Sequence, residues 1–155
     1  MASAPDRGVI TDWLIDFVQT GLNVSVGDIE APPDVGWQSD SAKVNAEFIP
    51  YLVSTPGTAT RSSGSFGDPS MDWKIPYTLT TYGVKRRQVE DLADDVRAAL
   101  LDVKKVPLTM KDGVTVWKIT TIDCTAIGGV GYTTAVTPTA FSETDSFNLT
   151  LSRSL

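Results

Sequence analysis

The sequence predicts an α+β fold: an antiparallel or mixed sheet packed against an N-terminal and a central amphipathic helix, in a single domain over residues 1–155. Three observations carry this expectation. Apolar residues recur at helical spacing around Trp13 and again around Val96. Much of the final third alternates apolar and polar side chains, as half-buried strands do. Two near copies, Phe48-Ile49-Pro50-Tyr51-Leu52-Val53-Ser54-Thr55 and Lys74-Ile75-Pro76-Tyr77-Thr78-Leu79-Thr80-Thr81, read as strands begun through Ile-Pro-Tyr.

The first helix is expected from about Arg7 to Thr20, with Val9, Ile10, Trp13, Leu14, Phe17 and Val18 forming one apolar stripe. Asp6 or Ser3 suits its N-cap, and Gly21 suits the left-handed residue after its last turn. A short strand follows at Asn23–Ile29, where Val24 and Val26 alternate with polar neighbours. Pro32-Pro33 and Gly36 open an irregular segment over residues 31–43. Trp37 stands there as an interface side chain or as a plug folded back over the core.

Proline has no N–H for a sheet ladder, so Pro50 and Pro76 are expected at strand starts or on sheet edges. The strands proper are then Tyr51–Thr55 and Tyr77–Tyr82, paired antiparallel. Between them, residues 56–71 have the Gly/Ser/Thr composition of a flexible loop. It is either a plain exposed loop or one that projects and orders against a partner. The second helix should run from Val84 or Lys85 to Val103, burying Val89, Leu92, Val96, Ala99, Leu100 and Val103. Lys104 and Lys105 complement its negative end, and Pro107 enforces the stop.

Lys85, Arg86 and Arg87 sit unfavourably at the positive end of that helix. They form a solvated first turn with i,i+4 pairs such as Arg86–Glu90 and Arg87–Asp91, or they meet an acidic neighbouring subunit. Asp112-Gly113 signals a hairpin joining Leu108–Met110 to a strand from Val114 to about Thr125, with Trp117, Ile119 and Thr121 on one face. A Gly-rich irregular segment at 127–139 precedes the last strand, Ser146–Ser152, whose Phe147, Leu149 and Leu151 face inward.

The chemistry is sparse. With no histidine in 155 residues, Ser-His and Cys-His pairs, most zinc sites and the usual neutral-pH base are excluded. The acids gather on exposed helix faces, Asp12 and Asp16 or Glu90 to Asp95. Gly128-Gly129-Val130-Gly131 lacks the Lys-Ser/Thr ending and the following helix of a phosphate loop. Single Cys124 is expected as a buried, reduced thiol. No catalytic, cofactor-binding or metal residue is nominated, and no enzymatic activity is expected. A net charge of -6 argues against gripping nucleic acid, while leaving DNA free to pass without sticking. Without a visible signal peptide or an apolar run of about 18 residues, a soluble protein made in a reducing cytoplasm is expected.

The order of elements resembles the tail terminator (tail completion) family of long, non-contractile-tailed bacteriophages. The residues that carry the resemblance are the helix around Trp13-Leu14-Ile15-Asp16-Phe17-Val18, the strand Ile49-Pro50-Tyr51-Leu52-Val53, the Ser/Gly loop, the strand ending Thr80-Thr81-Tyr82-Gly83, and the helix Val89–Leu101. The resemblance implies a virion protein of the tail and neck, made in the bacterial host cytoplasm. It implies a homo-oligomeric ring, sixfold by the family pattern, that caps the tail-tube protein and presents a surface to the head–tail connector or neck protein. DNA would pass through the lumen unbound, and no cofactor or membrane is implied. The subunit or tube contacts nominated on this basis are Arg61, Ser63, Phe66 and Asp68 in the loop, Lys85, Arg86 and Arg87 on the helix, and Trp37. Other readings are a head-completion, adaptor or stopper ring, a tail-tube subunit, or a small monomeric binding module.

Overall fold

In a computed structural model, which describes residues 4–38, 47–61, 72–133 and 140–154, two helices lie on one face of an eight-stranded, mostly antiparallel sheet. The elements are α1 (Arg7–Leu22), β1 (Ser25–Asp28), β2 (Gly36–Trp37), β3 (Phe48–Ile49), β4 (Tyr51–Pro56), β5 (Thr60–Arg61), β6 (Trp73–Gly83), α2 (Arg86–Leu101), β7 (Lys104–Thr109), β8 (Val116–Ala126), β9 (Gly131–Thr133) and β10 (Ala140–Ser154). The main path of the sheet is β1-β4-β6-β10-β8-β7, with β5 beside β6, β9 beside β10, and β2–β3 as a separate hairpin. Among the described residues only the β1–β4 pair is parallel.

The inner face is apolar because its strands alternate. Ile75, Tyr77 and Leu79 of β6 and Phe147, Leu149 and Leu151 of β10 point at the helices, with Ile10, Leu14 and Val18 of α1 and Val96 and Leu100 of α2 between them. Val89, Ala93, Val96 and Leu100 are the buried stripe of α2, so Ala93 joins the expected set. The Thr11 hydroxyl and the Tyr77 phenol lie 2.7 Å apart and satisfy each other beneath α1. The Gln19 side chain accepts from the Val26 N–H at 3.1 Å, tying the end of α1 to β1.

The strands around Pro50 and Pro76 pair antiparallel as expected, Tyr51 opposite Tyr82, but neither is an edge strand. Pro50 does precede the first residue of β4, whereas Pro76 lies inside β6, opposite Asn148. Its carbonyl accepts from the Gly57 N–H at 2.8 Å, and its nitrogen faces the same side. There the neighbouring chain leaves the ladder between Pro56 and Thr60, so the missing N–H costs no regular bond.

Several boundaries move for local reasons. Gly21 is helical, and Asn23 takes the left-handed position (φ 51°) that ends α1. Asp6 occupies the N-cap without a side-chain bond to the helix; its carboxylate accepts from the Lys111 N–H at 2.8 Å instead. Pro107 does not stop α2, which ends at Leu101; it lies in β7, on the sheet edge where proline is tolerated. The Asp112-Gly113 turn is present, with Gly113 at φ 73° and the Asp112 carboxylate accepting from the Val114 and Thr115 N–H groups.

In β8 the expected face breaks. Thr121 is exposed and Ile122 buried, because the register with β10 shifts at Thr120 and again at Thr125. Each extra threonine turns its hydroxyl onto a β10 carbonyl, Thr120 onto Thr150 and Thr125 onto Ser146. Cys124 is a half-buried free thiol rather than a fully buried one. The segment expected to be irregular after Ile127 contains β9, and β10 begins at Ala140 rather than Ser146.

The outer face is mostly hydroxyls: Thr78, Thr80, Thr144, Ser146 and Thr150, with Thr80 and Thr144 bonded at 2.9 Å. One end of it is apolar. Tyr51 stacks on Tyr82 at 4.8 Å, and Phe48, Ala140, Val53, Val84 and Trp37 complete this second cluster.

Candidate functional site

The nominated residues divide between the two ends of β6. At the Gly83 end, Trp37 meets Phe48 edge-on, with ring centroids 5.2 Å apart, so it plugs the outer cluster. Val84 packs in that cluster, and Lys85, Arg86 and Arg87 follow immediately, all exposed. The Gln88 side chain accepts from the Val84 N–H at 3.1 Å, which fixes the chain entering α2. Arg86 pairs with Glu90 at 2.9 Å, the expected i,i+4 bridge. Trp37 and the basic turn therefore share one end of the sheet.

Arg61 lies at the other end. It pairs opposite Trp73 in β5, its guanidinium 6.0 Å from the Trp73 ring centroid. Trp73 and Tyr82 are nine residues apart along one strand, roughly 30 Å. Ser63, Phe66 and Asp68 lie outside the described residues, as does most of the 56–71 loop.

The most concentrated chemistry is a buried ionic cluster that includes none of the nominated residues. Glu143 and Asp145 of β10 are 5% and 3% exposed. Arg97 of α2 reaches both through Nη2, at 3.4 Å to Glu143 and 3.0 Å to Asp145, and holds Asp94 through Nη1 at 2.7 Å. The Gly128 N–H donates to Asp145 at 3.0 Å. A Cβ at Gly128 would lie 2.2 Å from the Thr144 carbonyl oxygen, so glycine is what lets the backbone approach. Burial pushes Glu143 up to about 7, and the hydrogen bond and charge of Asp145 add to it, against the pull of Arg97. Burial opposes the charge of Arg97, but bonds to Asp94 and Asp145 hold its guanidinium protonated more firmly than usual.

The signal was present in the sequence. Carrying the alternation of Phe147, Leu149 and Leu151 two steps back puts Asp145 and Glu143 on the same inward face. Starting the strand at Ser146 hid it. Glu143, held beside Arg97 and Asp145, can take up and release a proton near neutral pH. Arg97 brings α2 over the cluster.

Elsewhere, an open depression of about 190 Å³ is lined by Thr55, Pro56, Gly57, Pro76, Tyr77, Thr78 and Ser146. It is smaller than the roughly 300 Å³ of ordinary small-molecule sites and holds no acid or base beyond the Tyr77 phenol. Among the described residues no three His, Cys, Asp or Glu side chains converge as a metal site, and no helix is long and apolar enough to cross a membrane.

No protein-family model matches the chain, and no curated protein matches it. Among solved structures, one similar chain, whose designation names no activity, is 17% identical with a TM-score of 0.47. The match covers 96% of this chain and 93% of that one. At that score the similarity carries no argument about function.

Proposed function

We propose that this chain is a structural virion protein that closes into a ring, caps a phage tail tube and offers its opposite side to the neck. The observation that carries the reading is the separation of the nominated contacts. Trp37 and Lys85–Arg87 stand at one end of the strands and Arg61 at the other, roughly 30 Å away. A ring component between two different partners needs two unlike axial surfaces, and this arrangement supplies them. The work requires no catalytic group, and a net charge of -6 suits a lumen through which DNA must slide without binding.

Electron microscopy of the purified protein, alone and with added tail tubes, tests the proposal. Closed rings, and rings seated on tube ends, are the expected result. A chain that stays monomeric and never associates with tubes refutes it. Rings that bind neck components but ignore tubes transfer the role to an adaptor or stopper.

A further inference from the structure

The charge of this chain is unevenly spread across the sheet. Residues 8–60 hold seven acidic side chains (Asp12, Asp16, Asp28, Glu30, Asp34, Asp40 and Glu47) against Lys43 alone, which equals the whole net charge of -6. Residues 103–122 hold Lys104, Lys105, Lys111 and Lys118 against Asp112 alone. Each segment holds one edge strand of the main path, β1 in the first and β7 in the second. Asp28, Glu30 and Asp34 are exposed at or just beyond β1, and Lys104, Lys105 and Lys118 are exposed on β7 and its neighbour β8. None of these six makes an ion pair among the described residues. Ile29, 63% exposed, sits between Asp28 and Glu30.

We infer that the partner of the acidic β1 margin is the basic β7–β8 margin of a second copy of this chain. Because the two patches differ, the contact is heterologous and repeats from copy to copy instead of stopping at a dimer. Pro107 removes one N–H from β7, so the contact runs through side chains and not through an extended ladder.

Asp28 lies level with Asp145 through Ser54 and Leu79, and Lys104 lies level with Thr150 through Thr121, so the two patches are offset by five residues along β10. This assignment rests on the ring reading and adds the lateral surfaces to it.

The test is reciprocal charge reversal, read as particle mass by native mass spectrometry and light scattering. The wild type is expected to associate at about 50 mM salt and to loosen at about 500 mM. K104E/K105E/K118E and D28K/E30K are each expected to fold, by circular dichroism, and to associate at least about tenfold more weakly. Mixed in equal amounts they should regain the wild-type mass with both variants in equal number, since each junction again joins opposite charges. If K104E/K105E/K118E does not fold, K104Q/K105Q/K118Q replaces it, with loss of the salt dependence as the expected result. Rings that persist unchanged in both variants overturn the surface assignment and leave the ring reading standing. A wild type that is monomeric at both salts and on tubes overturns both.

Discussion

Replacing Glu143 with glutamine keeps the shape of a side chain that is 5% exposed and removes its proton equilibrium. In the unfolded chain this carboxyl titrates near its ordinary 4.5; in the folded chain burial, then Asp145, push it up to about 7. The folded state therefore holds the proton more tightly. Its contribution to stability is fully present below about pH 4.5, falls as the pH rises through 7, and is flat beyond. At about 1.4 kcal/mol for each pKa unit, the fall amounts to roughly 3 kcal/mol, an upper figure because the cluster can relax. For a chain of this length that is roughly 6–12 °C in Tm. Asp112 acts in a separate window. The Thr115 hydroxyl and the Val114 and Thr115 N–H groups hold it below its ordinary 3.8, so its contribution is lost only as the pH falls beneath that value.

Calorimetric unfolding of the wild type and Glu143→Gln between pH 4.5 and 8 reads this directly. The two proteins should have similar Tm values near pH 5. Towards pH 8 the wild type should lose stability while the variant keeps it and becomes the more stable of the two. A variant with the same downward slope as the wild type would refute the reasoning, because some other group would then own the titration.

Arg97→Ala leaves Glu143 and Asp145 buried without a counter-charge and should cost about 3–5 kcal/mol, more at pH 8 than at pH 5, by urea unfolding at both values. Gly128→Ala forces a Cβ against the Thr144 carbonyl and weakens the N–H bond to Asp145, a loss of roughly 1–3 kcal/mol or more by the same assay. Replacing Lys85, Arg86 and Arg87 together with alanine removes exposed charges and one surface bridge, so stability should change by less than about 1 kcal/mol. Ring docking at the Trp37 end should nevertheless fail at physiological salt when viewed by electron microscopy.

Both helices were legible because their apolar spacing has one period and their faces meet one sheet. The pairing of Tyr51–Pro56 with β6 was legible too, and so was the Asp112-Gly113 hairpin. What misled was reasoning from one residue about a whole strand. Pro76 signals an edge only if every position of the neighbouring strand stays in register, and here β4 ends where Pro76 needs nothing. Thr121 was placed on the face of Trp117 and Ile119 by unbroken alternation, which the extra residue at Thr120 breaks. Glu143 and Asp145 were missed because the last strand was begun at Ser146, whereas β10 begins at Ala140. Their partner, Arg97, lies 46 and 48 residues away, a distance over which local pattern is silent.

The buried cluster also explains how α2 comes to rest where it does. Its apolar stripe of Val89, Ala93, Val96 and Leu100 gains from contact without specifying direction, and a slide of one turn would bring similar side chains onto the same sheet. Arg97 does not tolerate that slide. One turn moves it about 5.4 Å, beyond the reach of carboxylates it now meets at 3.0 and 3.4 Å, and strands three charges in an apolar layer. A hydrophobic trio of equal volume would give comparable or greater stability, so energy alone does not account for the cluster. Register does. Fixing Arg97 fixes the first turn of the same helix, and with it the position of Lys85, Arg86 and Arg87 at the end of the sheet that holds Trp37. An exposed basic turn can serve as a repeated contact only if every copy holds it in the same place, which ties the proton-sensitive core to the surface proposed for assembly.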